Sequence, residues 1–155
     1  MRVTSSFLNK RCHAHPYLKG KLGADWVDKI LTAKNWVYRG KEASDQINIL
    51  GDDGVPIDYH LTFWKAEMID FVLMQQDAFD KIDAQCPLPR QKYMMDLVME
   101  GVNWPYHFDT FDEVAPYFKR VINTLKQMNY AVFNSSDYTK YESEFRAILN
   151  ERRAN

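Results

Sequence analysis

Three stretches of this chain gather side chains able to do chemistry. The first, Gly51-Asp52-Asp53-Gly54-Val55-Pro56-Ile57-Asp58, places three carboxylates close together in an evident turn. Such a cluster suits a cation, a basic partner, or the positive end of a helix dipole. Calcium does not fit. A calcium loop needs ligands at fixed spacing closed by a glutamate, and the twelfth position counted from Asp52 is Phe63. On residue pattern alone, a capped helical hairpin is the plainer reading. The second stretch is Gln75-Gln76-Asp77-Ala78-Phe79, where a lone pair of glutamines carries no chemistry and Phe79 reads as a core residue. The third, Cys12-His13-Ala14-His15, is the one cluster of soft metal ligands in the sequence. It lacks a fourth ligand at a recognised spacing and so reads as structural. His60 and His107 have no carboxylate or nucleophile partner at motif spacing.

Other chemistries are missing from the sequence. There is no G-x-x-x-x-G-K-[ST] loop to cradle phosphates, no G-x-S-x-G, no H-E-x-x-H and no C-x-x-C. The chain therefore lacks the usual means of holding ATP for hydrolysis, and a self-contained active site is not expected. Twenty basic residues against twenty-one acidic ones leave a net charge of −1, which argues against nucleic acid as a partner. The longest central apolar run, Phe71-Val72-Leu73-Met74, is far shorter than the ~20 residues needed to span a bilayer. The N-terminus has no apolar core of a signal peptide. Two distant cysteines, Cys12 and Cys86, fit a reducing cytoplasm, with Cys86 expected as a small buried thiol. In that compartment Asn134-Ser135-Ser136 reads as a helix entrance rather than a glycan acceptor.

The elements that must position these residues are helices. At 155 residues the chain fits one domain with a sizeable core, and no segment alternates with a period of two. Leu61, Trp64, Met68, Phe71, Val72 and Gln75 share one helical face, which predicts a continuous helix over Ile57–Gln76. Val114, Phe118, Val121, Ile122, Leu125 and Val132 mark a second helix, and Tyr138, Tyr141, Phe145, Ile148 and Leu149 a third. Met94, Leu97, Val98 and Gly101 mark a shorter one, and Trp26, Ile30 and Val37 another. Gly51 suits a left-handed C-cap and Pro56 a helix start. Pro87 and Pro89 suit a helix entrance that Trp104-Pro105 closes. Ser135, Ser136 and Asp137 can cap the last helix, Glu142 and Arg146 can pair along it, and Arg152 and Arg153 can complement its dipole. The fold class expected is all-α, a single bundle-like domain with a helix–turn–helix lever. Residues 25–155 form that domain and 1–24 an irregular strap or cut edge.

Taken in order, the two central stretches resemble the C-terminal helical domain of the catalytic A subunit of V-type (vacuolar and archaeal-type) rotary ATPases. Ile47-Asn48-Ile49-Leu50-Gly51-Asp52-Asp53-Gly54-Val55-Pro56-Ile57 follows the family's I-V-Q-L-V-G-P-D-A-L-P-D. Leu73-Met74-Gln75-Gln76-Asp77-Ala78-Phe79-Asp80-Lys81-Ile82-Asp83-Ala84-Gln85-Cys86-Pro87 follows F-L-Q-Q-N-A-F-x-x-V-D-T-Y-C-P. Leu88-Pro89-Arg90-Gln91-Lys92-Tyr93-Met94-Met95 then follows x-x-K-Q-Y-x-M-L. The likeness is strongest over about Ile47–Met95 and weaker to the end. Three positions depart from it: Asp52 replaces a proline, Asp70-Phe71-Val72 replaces a charged R-E-D run, and Gln85 replaces an aromatic.

The resemblance implies that Gln75 and Phe79 lie on the adenine side of a nucleotide site, since an aromatic face stacks on a purine and an amide reaches its polar edge. It implies that Asp52, Asp53 and Val55 meet the central rotor, whose matching surface would be basic. ATP or ADP with Mg would belong to the intact catalytic polypeptide and not to this stretch. The implied partners are the remainder of the A subunit, the ATPase B subunit and the D subunit of the central stalk. The expected place is cytoplasmic, peripheral to the membrane, without direct insertion. The N-terminal barrel, the non-homologous insert and the nucleotide-binding domain would precede Met1. Another class remains open: a free-standing helical adaptor whose acidic hairpin binds a basic partner. An upstream reading frame that runs into a phosphate loop would separate the two.

Overall fold

A computed structural model describes residues 20, 23, 25–75 and 77–154. The expected strap over 1–24 lies almost wholly outside them, as do Cys12-His13-Ala14-His15 and Gln76. Among the described residues there are six α-helices and no strand. They are α1 (Trp26–Leu50), α2 (Ile57–Ile69), α3 (Lys81–Ala84), α4 (Leu88–Asn103), α5 (Val114–Tyr130) and α6 (Ser136–Glu151). No helix among these residues is long and apolar enough to cross a membrane.

The long α1 turns back on α2 to form a hairpin, and its sequence explains how close the two lie. Trp26 and Ile30 bury large side chains at one end, whereas the buried residues further along are small: Ala33, Gly40 and Ala43. A Cβ placed on Gly40 would sit 2.1 Å from the Ala66 Cβ, so the crossing tolerates no side chain there. Helix α5 carries the strongest apolar stripe. Val114, Phe118, Val121, Leu125 and Met128 are fully buried against α2, α4 and α6. Lys119 lies over Trp64 of α2 at 5.8 Å and Lys126 over Phe71, in the turn that continues α2, at 5.4 Å; the spacing is seven residues on each side, which sets α2 and α5 parallel. The outer edges of these aromatic faces are thereby covered by cations.

Most boundaries follow the sequence signals. Pro87 precedes α4 with Pro89 in its first turn, and Trp104 ends it in an extended conformation before Pro105. Ser135 caps α6 by accepting from the Tyr138 amide at 3.2 Å, so the Asn134-Ser135-Ser136 stretch is a helix entrance. Glu142 and Arg146 pair along α6.

Four expectations need correction. Helix α5 stops at Tyr130, leaving Val132 outside it and exposed. The helix expected over Ile57–Gln76 is α-helical only to Ile69. It widens to a π-turn over Asp70–Met74, closed by the Gln75 amide on the Asp70 carbonyl (2.9 Å), and Gln75 itself is extended. Gly51 has the positive φ expected (81°), but its ψ of 164° is not left-handed helical. This glycine-specific conformation sends the chain directly into a 3-10 turn, Asp52–Gly54. Arg152 is the C-cap residue of α6, at the negative end of its dipole, and pairs with Glu113 at 3.0 Å, while Arg153 bridges Tyr106 and covers Trp104. Cys86, expected buried, is half-buried.

Candidate functional site

Both stretches singled out in the sequence sit at ends of α2. At its N-terminal end the 3-10 turn projects Asp52 and Asp53 into solvent, and Asp58 is exposed in the first turn of the helix. Val55 does the opposite: it is only 8% exposed and anchors the turn from beneath. Two residues with no signal in the sequence beyond being apolar at a helix end are the outward ones. Ile49 is 74% exposed and Leu50 56%, beside the acidic turn. The tip is therefore amphiphilic, with an apolar ledge next to two exposed carboxylates.

Beneath it lies His60, 5% exposed. Its Nε2–H donates to the Asp52 carbonyl at 3.1 Å, and its Nδ1 lies 3.9 Å from the Asp52 carboxylate. The imidazole stacks on Phe111 with centroids 5.3 Å apart. No motif spacing announces this pairing, because eight residues and a sharp turn separate His60 from Asp52. Only the turn at Gly51 brings them together. His107 likewise gains a carboxylate neighbour, Asp109 at 3.5 Å, in an exposed loop.

At the other end of α2, the π-turn hands the chain to the loop that carries Phe79. A π-turn misaligns its carbonyls, and the α5 side chain Asn129 answers one of them by donating from Nδ2 to the Val72 carbonyl at 3.0 Å. The loop is then shaped by three aspartates spaced three apart. The Asp77 amide donates to the buried Asp83 carboxylate at 2.7 Å, and the Phe79 amide donates to the Asp77 carboxylate at 2.9 Å. Asp80 caps α3 by accepting from the Ile82 and Asp83 amides at 2.9 and 2.8 Å. The outcome is that Phe79 stands 99% exposed. The expectation of a core phenylalanine fails, because these turns engage the local backbone donors in a geometry that turns the ring outward. Gln75 is exposed at the loop's start, with its amide donating to the Asp70 carboxylate at 2.8 Å. Gln85 is also exposed.

Arg90, 2% exposed, ties this loop to the bundle. Its guanidinium donates to the Met128 carbonyl at 2.8 Å, to the Asn129 carbonyl at 2.5 Å, and to Ile82 at 3.3 Å. It thus holds the C-terminal end of α5 against α3, where a cation complements the helix dipole. Its signals in the sequence are its place after Pro89 at a helix entrance and its match to the basic position of the resembled pattern. Among the described residues no group of three His, Cys, Asp or Glu is placed to hold a metal ion.

Fold and site together define an all-helical domain with its own core, presenting an acidic tip at one end of a hairpin and an outward aromatic loop at the other. The chain belongs to the family described as the C-terminal domain of V and A type ATP synthase, which matches residues 15–104 and so takes in both ends of α2. It is 32% identical over 127 residues to the V-type ATP synthase alpha chain of Protochlamydia amoebophila, covering 82% of this chain and 21% of that protein. The alpha chain of Chlamydia muridarum is 30% identical over 115 residues (74% of this chain, 20% of that one). Alpha chain 1 of Treponema pallidum is 28% identical over 116 residues (75% and 20%). The chain spans about a fifth of the length of the curated relatives it matches.

Proposed function

We propose that this chain is the coupling lever of the catalytic polypeptide of a V-type rotary ATPase, linking nucleotide state to rotation of a central stalk. In this reading the phosphates of ATP or ADP, and their Mg, are held by the remainder of the A subunit at its interface with the B subunit. The loop 75–86 meets the adenine through Phe79 and Gln75. The Gly51–Asp58 tip leans on the D subunit of the central stalk, and the whole works at the cytoplasmic face as a part peripheral to the membrane. The two ends stand about 25 Å apart along α2 and its π-turn, at ~1.5 Å per residue.

The observation that carries the proposal is the exposure of Phe79. An aromatic ring fully in water loses the benefit of burial, so a loop built by three aspartates to display one points to a missing partner surface. An outward ring suits stacking on a purine. The chain itself adds rigidity, through Asn129 and Arg90 at the loop and Gly40 against Ala66 in the hairpin. Work has to come from tighter nucleotide binding in one conformation of the motor than in another. Asp52 and Asp53 deliver it, with Ile49 and Leu50 as apolar footing and Val55 as the anchor that holds the turn.

Phe79→Ala in the complete catalytic polypeptide tests this. Nucleotide affinity should fall by about five- to a hundredfold, as loss of one stacked base contact implies. Unchanged affinity would remove Phe79 from the nucleotide site.

A further inference from the structure

A cavity of about 290 Å³ opens beneath the tip, between the last turns of α1, the start of α2 and the turn before α5. Its aromatic walls are Phe63, Trp64, Phe111 and the imidazole of His60, and its carboxylates are Asp52 and Asp112. Among the described residues no lysine or arginine lines it. Lys119, which contacts the Trp64 wall, is engaged over that ring at 5.8 Å. Helix α1 also ends with no basic residue in its last turn, so the negative end of its dipole goes uncompensated by its own side chains. Neither carboxylate is engaged elsewhere in an ion pair with lysine or arginine among the described residues. Asp52 has only the His60 ring, 3.9 Å away, and Glu113 rather than Asp112 takes Arg152.

From this geometry we infer that the cavity receives an arginine side chain from the protein on which the tip rests. The inference rests on the lever reading and names the chemistry of the partner at that site. A guanidinium is planar, so it can lie flat against an aromatic wall while its N–H fork meets carboxylates. An ammonium of lysine would use the charge but not the flat walls. In the tautomer whose Nε2–H donates to the Asp52 carbonyl, Nδ1 of His60 carries the lone pair that can accept one more N–H. A docked arginine would then lock the turn from below, while Ile49 and Leu50 take apolar contacts outside.

The test uses the 155-residue chain and N-acetyl-arginine methylamide, followed by the NMR shift of the Trp64 indole N–H. Saturable binding is expected, with the neutral isostere N-acetyl-citrulline methylamide and the lysine analogue each about tenfold weaker. Asp52→Asn with Asp112→Asn should weaken arginine binding by about tenfold, and both positions are exposed, so circular dichroism should be unchanged. Citrulline or lysine binding equal to arginine, a double variant that binds like the parent, or no saturable shift would each overturn the inference. Because no stalk is present, the outcome separates from that of the lever reading. Arginine binding in a chain whose tip never meets the stalk would sink the lever reading alone, and stalk contact without arginine binding would sink only the pocket.

Discussion

Replacing Arg90 by methionine asks how firmly the Phe79 loop is bound to the bundle. The guanidinium is buried and its described contacts are carbonyls, those of Met128, Asn129 and Ile82, with the Tyr138 ring 5.9 Å away. Methionine fills a similar volume but donates nothing. The Met128 carbonyl keeps the Ala131 amide at 3.3 Å, so the main orphan is Asn129, whose carbonyl loses a 2.5 Å charged hydrogen bond. Leaving one such acceptor dry costs ~1–3 kcal/mol, and losing the weaker bonds to Met128 and Ile82 adds ~1 kcal/mol. Removing a buried cation that has no carboxylate partner among the described residues offsets part of this. The net expectation is a loss of about 2–3 kcal/mol in urea unfolding of the chain. Hydrogen exchange should also quicken at the Ile82 and Asp83 amides, which sit in the capped turn that Arg90 braces. A loss below ~0.5 kcal/mol, within the range of ordinary surface substitutions, with exchange unchanged, would refute the bracing role.

Two further substitutions probe the hairpin. Gly40→Ala should lower stability by about 1–3 kcal/mol, because the new Cβ would meet Ala66 at 2.1 Å, and Ala66→Gly in the same chain should recover most of that loss. Thermal melts of the single and double variants check this, and a neutral Gly40→Ala would contradict the close crossing. Burial, and next the charge of Asp70, hold the Glu67 carboxyl above its ordinary 4.5. An acid with a raised folded pKa keeps its proton longer in the folded state, so stability falls as pH rises from the unfolded value through the folded one. Glu67→Gln should flatten that part of the profile in urea midpoints measured across mildly acid pH, and an unchanged slope would assign it to other groups.

The helices were legible because their causes are local. Trp64, Met68 and Phe71, or Phe118, Val121 and Leu125, repeat at helical spacing whatever surrounds them. Pro87, Trp104 and Ser135 act on their own backbone, so the boundaries they predict appear. What escaped the sequence depends on neighbours distant in the chain. The π-turn at Asp70–Met74 persists because Asn129, 57 residues away, takes the Val72 carbonyl. His60 acquires Asp52 and Phe111 only through the turn at Gly51 and the packing of the segment before α5. Phe79 misled for a subtler reason. Hydrophobicity predicts burial on average, but here the side chains of Asp77, Asp80 and Asp83 dictate the backbone, and the ring goes where the turn sends it. Their spacing was visible in the sequence, whereas their joint geometry was not.

The central claim, that this domain carries nucleotide state to a rotor, is tested most directly at the tip. Asp53→Cys in a reconstituted complex, paired with single cysteines along the central stalk, should form a disulfide that stops ATP turnover and releases it again on reduction. Formation should depend on which nucleotide is bound. Absence of any cross-link from position 53, and from 49, 50 and 52 tested in the same way, would contradict the account.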